Sequence, residues 1–179
     1  MKIAIVYASL TGNTKQLSEK IKETCINEDI TFYGTPLDAD IENITSADLI
    51  FVGSWTDKGN CCTSIKDFLK KLNNKAIAIF GTAGFGGSIE YFKKLEERMT
   101  LEIPESSQVL GAFYCQGKMP NSVRDRYSSM IKEHPEDKNL IVSLKNFDEA
   151  LSHPDVDDLA NVEAFTKEML NIRREQMLK

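Results

Sequence analysis

Histidine is nearly absent from this chain of 179 residues, which has only His134 and His153, and none of its four cysteines forms a C-x-x-C pair. A zinc or iron site is therefore not expected. Adjacent Cys61 and Cys62 resemble a redox pair, but in a reducing compartment such neighbours serve more often as small packing residues. Long apolar runs are missing too, and none approaches the roughly 18 residues that a membrane helix needs. Basic residues are in deficit, with 22 Lys and Arg against 27 Asp and Glu, a formal charge of −5. That balance argues against nucleic acid or an anionic membrane as partner. Met1 leads almost at once into an apolar run, which leaves no room for a signal peptide and sets the cytosol as the expected location.

What is present is a series of short apolar runs at 2–7, 30–35, 48–53, 75–81 and 109–115. The first, third and fourth are nearly continuous, as in strands covered on both faces of a parallel sheet. Helical patterns separate most of them. Leu17, Ile21 and Cys25 recur at intervals of four, and Ile65, Phe68, Leu69 and Leu72 form a core-facing stripe. Ile89, Phe92, Leu95 and Met99 make a looser stripe, and Val156, Leu159, Val162 and Phe165 open a last helix in which Pro154 is expected in the first turn. Strand and helix alternating in this way predict an α/β fold, a doubly wound five-stranded parallel sheet in a single domain over 1–179. The stretch 116–153 is the least regular, with a helical VRDRYSSMIK, a turn at HPEDKN and a strand or second helix at IVSLKNFDEAL.

Ligands of such sheets bind beyond the carboxyl ends of the strands. Three of those ends are unusual. After the first strand come Ser9, Leu10, Thr11, Gly12, Asn13 and Thr14, a stretch without charge that leads into a helix. Hydroxyls, an amide and the free N–H groups of the helix start would cradle an anion. The lysine of a nucleoside-triphosphate loop is missing, and so are two glycines of a dinucleotide fingerprint. A single terminal phosphate fits, although an ordinary capped turn would present the same residues. After the third strand, the only tryptophan, Trp55, lies among Thr56, Asp57, Lys58 and Gly59. It is placed either to stack on a flat ring or to anchor the loop in the core. After the fourth, Gly81, Thr82, Ala83, Gly84, Phe85, Gly86, Gly87 and Ser88 hold four glycines in eight residues. Their amides would be open to the edge of a heterocycle that Phe85 could cover. In the strand order 2-1-3-4-5 the three loops converge on one crevice.

SLTGNT, GSWTDKG and GTAGFGGS in this order resemble the flavodoxin family, FMN-binding electron carriers of bacteria. The resemblance spans residues 1 to about 115 and, more loosely, the final helix. It implies a flavodoxin-like fold, with Ser9 to Thr14 on the FMN phosphate and Trp55 to Gly59 and Thr82 to Gly87 beside the isoalloxazine. It implies as partners a reductase that donates electrons and an enzyme that accepts them. CQGKMP at 115–120 and ALSHPDVDDL at 150–159 resemble a branch from anaerobic bacteria, one type of which is associated with bilirubin reduction. The chain departs from many flavodoxins in offering Phe85 where they stack a tyrosine, and in its longer 116–153 region. That region is either a packing excursion or a wall that brings Gln116 or Met119 towards the flavin. No side chain looks placed as acid or base. An FMN-dependent nicotinamide or quinone oxidoreductase, and a flavin-free interaction module, remain as alternatives.

Overall fold

A computed structural model describes residues 1–86 and 88–179. Strands β1 (Lys2–Ala8), β2 (Asp29–Gly34), β3 (Leu49–Asp57), β5 (Ala76–Ala83) and β6 (Gln108–Gln116) form a parallel sheet in the order β2-β1-β3-β5-β6. A two-residue strand, β4 (Asn60–Cys61), pairs antiparallel with the end of β3. Without it, the order is the expected 2-1-3-4-5. The connecting helices are α1 (Asn13–Thr24), α2 (Ile41–Thr45), α3 (Thr63–Leu69) and α4 (Ile89–Thr100). Three more follow β6: α5 (Asn121–Glu133), α6 (Lys138–Ala150) and α7 (Val156–Met177).

The continuous apolar runs are the central strands. Residues 3–7 of β1, 49–54 of β3 and all of β5 are buried, whereas β2 and β6, the two edges, are only partly covered. Because successive side chains point to opposite faces, each strand feeds two cores. Ile3 and Ile5, Phe51, and Ala78 and Phe80 pack with Leu17 and Ile21 of α1 and Val162 and Phe165 of α7. Ala4 and Val6, Ile50 and Val52, and Ile77 and Ile79 pack with Ile65, Phe68 and Leu69 of α3 and Met99 of α4.

Several local expectations change. Ile89 and Val156 open α4 and α7 at 84% and 79% exposure, so the buried stripes begin later, at Leu95 and Val162. Each stands in a first turn, ahead of the part of its helix that crosses the sheet. Pro154 precedes α7 rather than entering its first turn. Asp155 caps the helix, and a reciprocal capping box joins it to Asp158. In the 116–153 stretch, the segment left between strand and helix is α6, joined to α5 by a turn at Pro135 and Glu136. Among the described residues, no helix is long and apolar enough to cross a membrane.

Candidate functional site

At the carboxyl edge of the sheet, β1 ends at Ala8 and the chain turns through Gly12 (φ 89°) into α1. That left-handed conformation favours glycine. No side chain caps the helix, and no acidic residue lies in its first turn. The positive end of α1 and its free N–H groups are thus left for a ligand. Around this end the polar side chains are interlocked. Asn13 Nδ2 donates to Thr11 Oγ1 at 2.8 Å and to the Lys118 carbonyl at 2.9 Å. The hydroxyls of Thr14 and Thr82 lie 2.9 Å apart in the interior, which joins the first loop to β5. Two buried side-chain atoms, Ser9 Oγ and Asn13 Oδ1, have no hydrogen-bond partner among the described residues. Leaving such an atom unpaired costs about 1–3 kcal/mol, so both call for a ligand atom.

The second stretch, Trp55 to Gly59, is expected after the third strand, but Trp55 to Asp57 belong to the strand. β3 continues to Asp57, held by the Trp55–Thr82 register with β5 and by the Asp57–Asn60 pair with β4. The polar residues hide this extension because their partners lie elsewhere in the chain. Ser54 is buried while its Oγ accepts the Cys62 N–H at 3.0 Å. Lys58 (φ 48°) and Gly59 (φ 79°) form the two-residue turn, with positive φ at both central positions, the geometry that matches hairpin twist. Arg98 of α4 donates from Nη1 to the Gly59 carbonyl at 2.7 Å. Cys61 and Cys62 are buried free thiols, and burial pushes the Cys61 thiol up to about 11, so it stays protonated at neutral pH.

In the third stretch β5 runs to Ala83, and Gly84 to Gly86 form the bend; Gly87 lies outside the described residues. The expectation of amides left open along this bend is only partly met. Asn146 of α6 donates from Nδ2 to the Gly84 carbonyl at 3.0 Å, and its Oδ1 accepts the Gly86 N–H at 3.4 Å. Gln116 donates to both Gly84 O and Asn146 Oδ1. A Cβ at Gly84 would fall 2.2 Å from Met119 Cγ, so the 115–120 segment lies directly against the bend.

These loops enclose a pocket of about 460 Å³. That is within the usual range for a small-molecule or cofactor site. Of the expected residues, Leu10, Thr11 and Asn13 line it from the first loop, Trp55 to Gly59 from the hairpin, and Thr82, Gly84 and Phe85 from the third. Ser9, Gly12, Thr14, Ala83 and Gly86 are not among the residues that line it, and Gly12 faces open space. Trp55 is half-buried, as a stacking surface must be, and Phe85 packs edge-on to Tyr91 with centroids 6.4 Å apart. Sequence reasoning missed Tyr91 and most of the far wall, where Lys118 and Pro120 precede Val123, Arg126 and Tyr127 of α5. The spacing of Val123, Tyr127 and Met130 was the available signal, and it was weak because α5 buries no residue fully.

A family model described as a flavodoxin domain matches residues 4–167. The chain belongs to the flavodoxin family. It is 37% identical over 178 residues to a flavodoxin-like domain-containing protein BilS of Clostridium symbiosum, across 92% of this chain and 94% of that one. It is 34% identical over 171 residues to a BilS of Clostridioides difficile, across 95% and 97%. In fold it resembles a flavodoxin of Streptococcus pneumonia TIGR4 (TM-score 0.61, 17% identity, 96% of this chain and 99% of that one). Oxidised Flavodoxin 2 of Bacillus cereus gives a TM-score of 0.56 at 19% identity, over 96% and 99%. FMN is the cofactor of this flavodoxin family, and electron transfer is its general activity.

The site's donors fit that group. The Ser9 hydroxyl, the Thr11 hydroxyl and the amides opening α1 suit a phosphate, whereas the Asn13 Oδ1 acceptor suits the hydroxyls of a ribityl chain.

Proposed function

We infer that this flavodoxin holds FMN with its phosphate on Ser9 to Thr14 and its ring between Trp55 to Gly59 and Thr82 to Gly87. It then exchanges electrons with redox proteins, a reductase that donates and an enzyme that accepts. The observation that carries the reading is the pair of unpartnered buried atoms, Ser9 Oγ and Asn13 Oδ1, at the uncapped positive end of α1. Bound FMN supplies the electron chemistry; the protein positions it and sets its surroundings. Ser9 and Thr11 donate to the phosphate, the half-buried Trp55 offers an indole face, and the Gln116–Asn146 pair keeps the third bend in place. Arg98 fixes the Gly59 carbonyl, whereas the Lys58 carbonyl has no hydrogen-bond partner among the described residues, which leaves the Lys58–Gly59 peptide free to rotate.

The α5 wall favours a second reading. Val123, Arg126 and Tyr127 close the pocket on one side, as a substrate wall of an FMN-dependent nicotinamide or quinone oxidoreductase would. Anaerobic mixing of the FMN-loaded protein with NADH or NADPH separates the two. A carrier keeps its flavin colour until a reductase is added. Fast bleaching by the nucleotide alone would replace the carrier reading with the enzyme.

A further inference from the structure

The pocket mouth carries a charge opposite to that of the molecule. Against a formal charge of −5 for the chain, the charged residues lining the pocket are Lys58, Lys118, Arg126 and a single acid, Asp57. The three cations are exposed. Some surface cations are paired, such as Arg124 with Asp148 at 3.3 Å, Lys145 with Glu149 at 3.7 Å and Lys66 with Glu102 at 2.9 Å. Others away from the pocket, such as Lys71, Lys93 and Lys132, are exposed and also lack a carboxylate partner among the described residues. What sets the mouth apart is three cations around one pocket with a single acid. The three at the mouth have no carboxylate partner among the described residues, and Arg126 lies over the ring of Tyr127, 5.5 Å from its centroid. Apolar groups stand open beside them, Leu10 at 63% and Phe85 at 43% exposure, both on the same pocket.

We propose that this mouth is a docking face for a redox protein whose own redox centre is ringed by Asp and Glu side chains. The proposal rests on the electron-carrier reading and adds the chemistry of the partner. An apolar centre with a charged rim is the anatomy of a protein interface. The local field decides which partners approach, because charges more than about 10 Å away are screened at about 0.1 M salt. The acidic remainder of the surface then turns acidic partners away from every other face, so that docking is confined to the mouth. A second copy does not complement the face mouth to mouth, since it carries the same cations there; a copy docking through its acidic remainder is the self-association arm of the test.

The test is calorimetric titration of the FMN-loaded protein with an acidic plant-type [2Fe–2S] ferredoxin and with a basic c-type cytochrome. The ferredoxin is expected to bind, with a Kd that rises roughly tenfold as salt goes from about 20 to about 200 mM. Lys118→Glu and Arg126→Glu should each weaken it about three- to tenfold. Lys71→Glu, after α3 at the opposite edge of the sheet, should change it little. The proposal is overturned if the ferredoxin fails to bind, if Lys71→Glu weakens it as much as the mouth variants, or if it binds unchanged after both reversals. It is equally overturned if the mouth cations instead prove necessary for self-association, or for retention on phosphatidylserine vesicles in place of ferredoxin binding. The flavin absorbance band reports FMN loading separately. A colourless chain would defeat the carrier function, while the titration would still show whether the face selects acidic proteins.

Discussion

Trp55 is the residue on which the proposed ring site turns. It is half-buried on the last part of β3, in register with Thr82 of β5, and lines the pocket with Thr56 and Asp57. Being the chain's single tryptophan, it reports on the site without interference. Adding FMN should quench its emission strongly, and Trp55→Ala should cost about 1–3 kcal/mol of affinity by analogy with base–aromatic stacking. Unchanged emission on saturation would place the ring elsewhere. Gly59 is constrained in a different way. With φ 79° and a Cβ position 2.5 Å from Arg98 Nη1, it accepts a side chain only by straining the turn and displacing the guanidinium. Gly59→Val should therefore lower stability by about 1–3 kcal/mol in urea titrations. It should also move the first one-electron reduction to more negative potential, because a β-branched residue resists rotation of the neighbouring peptide. Stability and potential both unchanged would mean that the turn does not depend on glycine.

At the scale of elements, helices that follow the sheet hold the site from behind. α6 reaches the third bend through Asn146, buried at 7% exposure, whose amide serves both Gly84 and Gly86. Asn146→Ala would leave the Gly84 carbonyl to Gln116 alone. The expected outcome is a loss of about 1–3 kcal/mol in stability, together with weaker FMN binding and faster amide exchange confined to the bend. An exchange profile unchanged there would show that α6 does not fix it. α7 is tied to α1 by Glu163, which accepts from Lys167 at 2.6 Å and pairs with Lys20 at 2.9 Å. The hydrogen bond from Lys167, followed by that from Lys20, draws the Glu163 carboxyl down from 4.5 to about 2. A folded value below the unfolded one means stability that is present above pH 4.5 and is lost as pH falls towards about 2. The melting-temperature gap between wild type and Glu163→Gln should accordingly be widest at neutral pH and close on acidification. A gap that widens in acid would reverse that sign. Legibility from sequence also divides by element. The strands β1, β3 and β5 were plain because burial on both faces removes the polar residues that would interrupt them. The end of β3 was not, because Ser54, Thr56 and Asp57 look like loop until β4 and β5 are placed beside them. The Gln116–Asn146 pair spans 30 residues and joins two polar side chains of a kind that no periodicity marks. The wall of α5 escaped for lack of a buried face.

The molecule as a whole presents a crevice at the carboxyl edge of the sheet, where three strand ends supply the neutral cradle, the indole and the glycine bend. The resemblance read in the three loop sequences is met by the family to which the chain belongs and by its strand order. The central claim is that the phosphate of FMN is held by neutral donors at the start of α1, a cradle that contains no lysine, arginine or acid. Hydrogen bonds to a charged group contribute about 1.5–3 kcal/mol each, so two of them already correspond to roughly a hundredfold in affinity. The direct measurement is parallel equilibrium titration of the flavin-free protein with FMN and with riboflavin, which differ only in that phosphate. FMN should bind at least about a hundredfold more tightly, and Thr11→Glu, which sets an anion on the pocket lining against the dianion, should erase most of the difference. Equal affinities for the two flavins would contradict the account.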